Sequence, residues 1–277
     1  MESLRPLLTT YAYNVTGSLE EAKDIVQDTY LQFMQVDGEK IENKKAYLVR
    51  MVINLAINRK KKQQKMLSAY HGEWLPEPVA TEHADAMVNR KDILSYSLMV
   101  LLDKLDPKQR AVFILKEAFE YDHAEIADVL GITVEYSRKI LSRAKQQLAT
   151  LATVKDSSIP ADYLNKYLTV MAAGDTKRLE QLLNQDIVLT SDGGGKATAV
   201  LNPVHGLKNG MSMLFGLYNK FFRMAKIEQG IINHQPALFI YEGDRLATCQ
   251  VFTFKNGLVD RVYFIRNPDK LQSLQKK

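Results

Sequence analysis

The chain has 277 residues, 46% of them apolar and 25% charged; this is the balance of an ordinary globular protein and excludes wholesale disorder, a collagen-like repeat and an all-membrane protein. The length allows about two domains at roughly 150 residues each. Thirty-seven Lys and Arg against 32 Asp and Glu leave a net charge of +5, so where the charge sits matters more than its sum. The single cysteine, Cys249, excludes an intramolecular disulfide framework and a cysteine-rich zinc site and points to a reducing compartment; it is expected as a small buried residue on a strand. No apolar run approaches the roughly 20 residues that span a bilayer, and Met1-Glu2-Ser3-Leu4-Arg5-Pro6 lacks the basic-then-apolar order of a secretory signal. The expectation is a cytoplasmic protein with no membrane partner.

Residues 1–67 read as helices. Ser18 followed by Glu21 forms a capping box, after which Ala22, Ile25, Val26, Thr29, Tyr30 and Phe33 recur at helical spacing and give one buried stripe. The opposite face carries Glu20, Glu21, Asp24, Gln27, Asp28 and Gln32. After the polar stretch from Asp37 to Asn43, a further helix is expected to bury Tyr47, Leu48, Met51, Val52 and Leu55 and to run on into Arg59 to Lys65. Charge changes sharply here: from Lys40 to Lys65 there are nine basic residues against one acid, Glu42.

From Ser68 to Asp85 the periodicity disappears, and Trp74-Leu75-Pro76-Glu77-Pro78 cannot continue a helix, because proline lacks the donor and restrains its predecessor. Residues 68–91 are therefore a linker. A second helical block, residues 92–152, opens with a helix lined by Ile93, Leu94, Leu98, Leu101, Leu102 and Leu105, and Asp106-Pro107 starts the next in cap-then-proline order.

A third block, residues 159–277, has a different character. Pro160 opens a helix with Leu164, Tyr167, Leu168 and Met171 inward, Asp175 caps a shorter one, and Ile187 to Thr190 reads as a strand. A helix around 207–223 is followed by four strand candidates, Lys226 to Asn233, Ala237 to Tyr241, Leu246 to Phe254 and Leu258 to Ile265, with Glu242-Gly243-Asp244 and Asn256-Gly257 as hairpin signals. Helices first and a meander afterwards indicate an α+β domain whose curved antiparallel sheet wraps a core or a pocket.

The most specific local pattern runs from Asp122 to Leu148. Asp122 with Glu125 caps a short helix whose inner face is Ile126, Ala127 and Leu130; Gly131 turns the chain; Thr133 caps a second helix packed through Val134, Ser137, Ile140, Leu141, Ala144 and Leu148. This is helix-turn-helix grammar. The second helix leaves Glu135, Tyr136, Arg138, Lys139, Ser142, Arg143 and Lys145 outward. Four cations against one acid suit the major groove, with early positions reading bases and later ones holding phosphates. The alternative is a helical hairpin that packs on another protein and keeps a solvated charged face. In the first block Asn54, Asn58, Lys61, Lys62 and Lys65 fall at i, i+4, i+7, i+8 and i+11, a stripe of amides and cations. Taken singly it is a solvated face; with the other basic helix across a linker, it suggests two contacts along one duplex.

Together these segments resemble the extracytoplasmic-function group of bacterial RNA polymerase sigma factors, over Leu4 to Lys65 and Asp92 to Leu151. Gly17 to Tyr30 looks like that family's polymerase-binding helix. The resemblance implies that Asp24, Gln27, Asp28 and Gln32 face the polymerase clamp helices. It also implies that Asp37 to Lys45 and the helix with Asn54, Asn58 and Arg59 capture flipped bases and melt the minus-ten element, and that Asp122 to Leu148 reads the minus-thirty-five element. A flipped base leaves its stack only where a pocket and a positive surface offset an unstacking cost of a few kcal/mol. Three short strings, Trp74 to Pro78, Asp192-Gly193-Gly194-Gly195-Lys196, and Asn267-Pro268-Asp269-Lys270-Leu271, are similar to the subgroup with a SnoaL-like C-terminal domain, which implies regulation of the sigma core in cis. The expected fold is thus two all-α domains followed by an α+β SnoaL-like domain. The expected partners are core RNA polymerase and promoter DNA, with the free protein a monomer.

Within the third block, the glycine run exposes backbone donors and offers an anion cradle with Lys196, but Ala197 stands where a phosphate-binding loop needs Ser or Thr. A tight hairpin between Ile187 to Thr190 and Ala197 to Leu201 is one alternative, and a docking loop for the linker or the tail is another. Catalysis would draw on Asp192, His205, His234 and Glu242, but no two sit at a spacing that forces proximity. The expectation is a non-enzyme without metal or cofactor, and an unidentified small-molecule effector is a candidate ligand of the third domain. If Trp74 and Leu75 anchor beside Asp192 to Lys196, the placement of the two DNA-reading blocks is fixed. Trp74, Leu75, Pro76, Asp192, Gly193, Gly194, Gly195, Lys196, Asn267, Pro268 and Asp269 are the candidate regulatory residues. A conventional repressor or activator and an enzyme with an accessory DNA-binding region are the competing functional classes.

Overall fold

The computed structural model of the protein describes residues 2–36, 41–67, 72–82, 88–151 and 162–275. These fall into a helical unit, within Met1–Tyr70 and His83–Thr153, and an α+β unit, within His71–Glu82 and Val154–Lys277. The first four residues of the expected Asp37 to Lys45 turn, and Pro160, lie outside the described residues.

In the helical unit, α1 (Arg5–Thr16) ends at Gly17, whose φ of +76° turns its N–H onto the Tyr13 carbonyl. Helix α2 (Leu19–Met34) begins where Ser18 Oγ accepts the Glu21 N–H, and it buries the expected Ala22, Ile25, Val26, Thr29, Tyr30 and Phe33. Helix α3 (Lys44–Leu67) runs unbroken through the basic segment, but its buried stripe is Leu48, Val49, Val52, Ile53, Ala56, Ile57 and Lys60. Tyr47, Met51 and Leu55, expected inside, are only half-buried. The stripe is rotated because α3 packs against α1 and α2 and also against α5 (Pro107–Glu117) and α6 (His123–Leu130), so the shared face is wider than one neighbour would require.

Helix α4 (Tyr96–Leu102) is shorter than its leucine pattern suggests. Its buried apolar residues are Tyr96, Met99 and Leu102, while Ile93 and Leu94 are buried ahead of it. The cause is Asn14 on α1, which donates to the Asp92 carbonyl (2.8 Å) and accepts the Leu94 N–H (3.3 Å), holding Ile93 extended. Asp106 and Gln109 form the capping box that starts α5, and helix α7 (Val134–Leu151) completes the unit.

In the α+β unit, α8 (Tyr163–Ala173) and α9 (Thr176–Leu182), the latter capped by Asp175, lead into β1 (Leu183–Asp192). Then follow β2 (Val204–His205), α10 (Leu207–Leu217) with a π-helical turn at Tyr218–Phe222, β3 (Lys226–Ile232), β4 (Gln235–Glu242), β5 (Arg245–Lys255), β6 (Leu258–Ile265) and α11 (Pro268–Leu271). The six strands order as β2-β1-β6-β5-β4-β3. The expected antiparallel meander is present as β3 to β6, and two of its pairings carry register shifts of the kind that bend a strand. One pairing differs: β1 lies parallel to β6. Residues Ala197 to Leu201 are not the hairpin partner of β1. The glycine turn instead folds on itself, with the Lys196 and Ala197 N–H groups both donating to the Gly193 carbonyl (3.0 Å each). The Arg266 and Asn267 N–H groups meanwhile hold the Asp192 carbonyl (2.8 and 3.0 Å). The end of β1 is thereby tied to the end of β6. Tyr163 and Tyr167 pack edge-on against Phe254 and Phe252 in the core, and Cys249 is buried on β5, where burial pushes its thiol pKa up.

Lys60 departs furthest from its sequence setting. It is 2% exposed, donates to the Thr16 carbonyl (2.9 Å) and pairs with Asp103 (2.8 Å), which also pairs with the fully buried Arg110; Arg110 Nε in turn donates to the Asn14 carbonyl (2.9 Å). The cluster ties α1 and α3 to α5. Removing one partner of a buried ion pair leaves charge uncompensated and costs about 3–5 kcal/mol, whereas an exposed ion contributes about 0–1 kcal/mol. Asp103→Ala is therefore expected to lower urea-unfolding stability by about 3–5 kcal/mol, and Lys61→Ala on the outer face by less than about 1 kcal/mol. Equal effects would contradict this assignment.

Candidate functional site

The helix-turn-helix is built from two caps and one glycine. Asp122 Oδ1 accepts the Ala124 and Glu125 N–H groups (2.8 Å each) and Glu125 Oε2 accepts the Asp122 N–H (2.7 Å), which starts α6. Gly131, at φ +60°, ends α6, and Thr133 Oγ1 accepts the Tyr136 N–H (3.1 Å) to start α7. His123 Nδ1 meets Ser137 Oγ at 2.9 Å and braces the two helices; burial, and then Lys116, lower its pKa. Ser137, Ile140, Leu141, Ala144 and Leu148 face inward, while Glu135, Tyr136, Arg138, Lys139, Ser142, Arg143 and Lys145 are all exposed. Lys145 pairs with Glu117 at 2.8 Å, and Lys108 lies over the Tyr136 ring at 5.6 Å. Lys108 extends the basic face from α5; its place in the first turn after Asp106-Pro107 was the available sequence signal.

The stripe on α3 is divided. Asn58, Lys61, Lys62 and Lys65 are exposed and Arg59 is half-buried. The Asn54 amide donates to the Val129 carbonyl at the end of α6 (2.9 Å) and to the Arg50 carbonyl (2.8 Å), so here it braces two helices. On α2, Asp24, Gln27, Asp28 and Gln32 are exposed together, and beside them Leu31 (53% exposed) and Met34 (73%) lie open to solvent. Sequence reading missed these two apolar residues, although both fall outside the buried stripe.

In the α+β unit, residues 74–81 form a strap on the domain. Leu75, Pro76, Glu77, Pro78 and Val79 are buried. The Leu75 N–H donates to Asp192 Oδ2 (2.9 Å), and Lys270 Nζ donates to that same oxygen (2.5 Å) and to the Leu75 carbonyl. The Lys270 ammonium also lies 3.9 Å from the centre of the Trp74 ring. Further along, Val79 exchanges hydrogen bonds with Asn233, through its side-chain oxygen (3.0 Å) and its backbone N–H (2.9 Å), and Ala80 bridges Ile232 on the edge strand β3. The strap therefore covers a sheet edge.

The glycine run makes this clamp compact. Gly194 donates its N–H to Asp192 Oδ1 (2.8 Å), and a Cβ there would come within 2.2 Å of the Asn267 amide; at Gly193 a Cβ would meet the Ala197 carbonyl oxygen at 2.0 Å. Asn267 caps α11, which carries Lys270 into the clamp, and Lys196 pairs with Asp269 at 2.5 Å. Lys270 and Asn233 were not among the expected site residues. Lys270 was visible only as part of the Asn267 to Leu271 string.

The four titratable groups considered for catalysis are not gathered. Asp192 is committed to the strap, His205 and His234 are exposed, and Glu242 pairs with Arg245 at 3.0 Å. Among the described residues no cluster of His, Cys, Asp and Glu could hold a metal ion, and no helix is long and apolar enough to cross a membrane.

Comparison with known proteins agrees with this geometry. Residues 1–66 match the family Sigma-70 region 2 and residues 95–148 match Sigma-70, region 4. The ECF RNA polymerase sigma factor SigJ of Mycobacterium tuberculosis is 30% identical over 286 residues, covering 97% of this chain and 91% of the relative. SigG of the same species is 25% identical over 217 residues, covering 68% of this chain and 59% of the relative. The crystal structure of M. tuberculosis SigJ superposes with a TM-score of 0.79 at 28% identity, covering 98% of this chain and 97% of that one. The likeness extends through both helical blocks and on through the α+β unit, and the chain belongs to the extracytoplasmic-function RNA polymerase sigma factors that carry a SnoaL-like C-terminal extension, a family that binds core polymerase and directs promoter-specific initiation.

Proposed function

We propose that this chain is a sigma factor whose C-terminal unit regulates it in cis by gripping the linker between its two promoter-reading blocks, residues 1–67 and 92–152. The observation that carries this reading is the strap: the path from α3 to α4 runs through Trp74 to Thr81, and those residues are held by Asp192, Asn233 and Lys270. In the proposed division of roles, Asp24, Gln27, Asp28 and Gln32 on α2 meet core polymerase, with Leu31 and Met34 adding apolar area. Asn58, Arg59, Lys61, Lys62 and Lys65 meet the melted minus-ten strand, joined by Asn54 once it leaves Val129. Arg138, Lys139, Ser142 and Arg143 on α7, with Glu135 and Tyr136 at its start, meet the minus-thirty-five element, and Lys145 does so after parting from Glu117.

A length requirement links the two halves of this reading. Elements named minus-ten and minus-thirty-five lie about 25 base pairs apart, or about 85 Å at about 3.4 Å per pair. A compact unit the size of the helical one has a radius of gyration of only about 14 Å. Promoter engagement therefore separates the two blocks, breaking the Lys60–Asp103–Arg110 cluster and the Asn54–Val129 bond. The strap is their covalent connection, so whatever holds it biases closed against open. Burying Leu75 and Val79 favours docking by about 1.5–3 kcal/mol each, and Pro76 and Pro78 reduce the entropy lost on ordering the strap.

Two outcomes are expected. Arg138→Ala and Arg143→Ala are expected to weaken promoter binding of the reconstituted holoenzyme and lower the slope of log affinity against log salt by about 1 each; an unchanged slope counts against α7 as the phosphate-holding helix. Trp74→Ala, Lys270→Met and Gly194→Ala are expected to loosen the strap and raise promoter-specific transcription with core polymerase several-fold at equal protein concentration. Transcription unchanged in all three would refute regulation through the strap, and a wild-type protein that directs no defined start would refute the sigma assignment.

A further inference from the structure

The α+β unit contains a cavity of about 400 Å³ that neither its core nor the strap fills; this is the size range of small-molecule sites. Its wall is apolar, with Met213, Leu217, Phe222 and Phe264, and its mouth carries the exposed Val200 and Phe221. Three charged side chains line it: Lys220, Arg266 and Glu242. Glu242 is answered by Arg245 at 3.0 Å. Among the described residues no carboxylate pairs with Lys220 or Arg266; Lys220 Nζ lies 5.1 Å from the centre of the Phe221 ring, and Arg266 Nη1 donates to the Thr198 carbonyl. Lys220, Phe221 and Phe222 are presented by the π-helical turn at Tyr218–Phe222, and such turns are rare and concentrate at functional sites. An apolar chamber with two unneutralised cations and one neutralised acid suits an organic anion with an apolar body.

The cavity and the strap clamp share two strand ends. Ser191 lines the cavity, and the next residue, Asp192, holds Leu75; successive side chains of a strand point to opposite faces. On the neighbouring strand Phe264 pairs in register with Ser191. Beyond it Arg266 lines the cavity, while Asn267 packs against Gly194 and caps the helix that carries Lys270. The Arg266 and Asn267 N–H groups both hold the Asp192 carbonyl. A shift of Arg266 onto a ligand would therefore move the backbone that positions the clamp.

We propose that this cavity binds a small organic carboxylate with an apolar body, its anion held by Arg266 and Lys220, and that occupancy is transmitted through Ser191–Asp192 and Arg266–Asn267 to the strap. The transmission half rests on the strap reading given above; the binding half does not. The full-length protein is titrated by calorimetry with hexanoate, benzoate and phenylacetate, and with hexanol and benzyl alcohol as uncharged counterparts. Saturable one-site binding of at least one carboxylate is expected, weakened at least tenfold in Lys220→Gln and in Arg266→Gln and at least tenfold weaker for the matching alcohol. No saturable binding by any of the three, or binding indifferent to charge, would overturn the assignment; Lys220 is exposed, so its variant keeps the test valid if Arg266→Gln disturbs the fold. Trp74 is the sole tryptophan and stacks on Lys270, so its emission reports the strap directly. A change that saturates with the calorimetric midpoint supports transmission, whereas binding with unaltered emission refutes it. Unchanged transcription in the strap variants would instead refute the regulatory reading and leave the calorimetric result standing.

Discussion

A single buried carboxylate organises the C-terminal half of the molecule. Asp192 accepts the Leu75 N–H, the Gly194 N–H and the Lys270 ammonium. A carboxylate with no exposed surface costs several kcal/mol to desolvate unless its oxygens are satisfied. Strap, glycine turn and tail therefore form one polar network in which each member makes the others tolerable. The prolines on the strap and the glycines on the turn serve that network: the prolines because an extended segment fits, the glycines because no Cβ does.

The helical unit uses the same device once more. Asp103 between Lys60 and Arg110 ties residues from both sigma-70-like blocks into one interior, where each charge is tolerated only because the others answer it. Such a contact is strong in its own geometry and loses its value once its partners part. That property suits the proposed exchange, in which the two blocks are held together in one state and separated in the other.

The features legible in the sequence were those set by local rules. The helix-turn-helix was legible because capping boxes, a left-handed glycine and a 3.6-residue period are local codes; every outward residue named on α7 is exposed, and of the inward ones Val134 alone is half-buried. Where several neighbours share one element, the pattern misled. Lys60 sits among four other cations between Arg59 and Lys65, and only tertiary contact with Asp103 shows that it belongs inside. The leucines after Asp92 read as one helix because nothing in their spacing reveals Asn14 holding the backbone open. The glycine run was recognised as a turn, but its strand partner was misplaced: β1 pairs with β6, far along the chain and parallel to it, and no local signal encodes that. Of the clamp, the three strings were visible, whereas Lys270 as the bridging cation and Asn233 as the strap's second anchor needed the fold.

On the reading proposed above, the chain is a sigma factor that carries its own restraint on the tether joining its two helical blocks. The most direct test follows amide hydrogen exchange along the strap, at Leu75, Val79 and Thr81, in the free protein and in the complex with core polymerase and promoter DNA. The account predicts strong protection at all three in the free protein and its loss in the promoter complex, as the clamp lets go and the blocks move apart. Equal protection in the two states would show that the strap stays docked throughout initiation and would contradict the central claim.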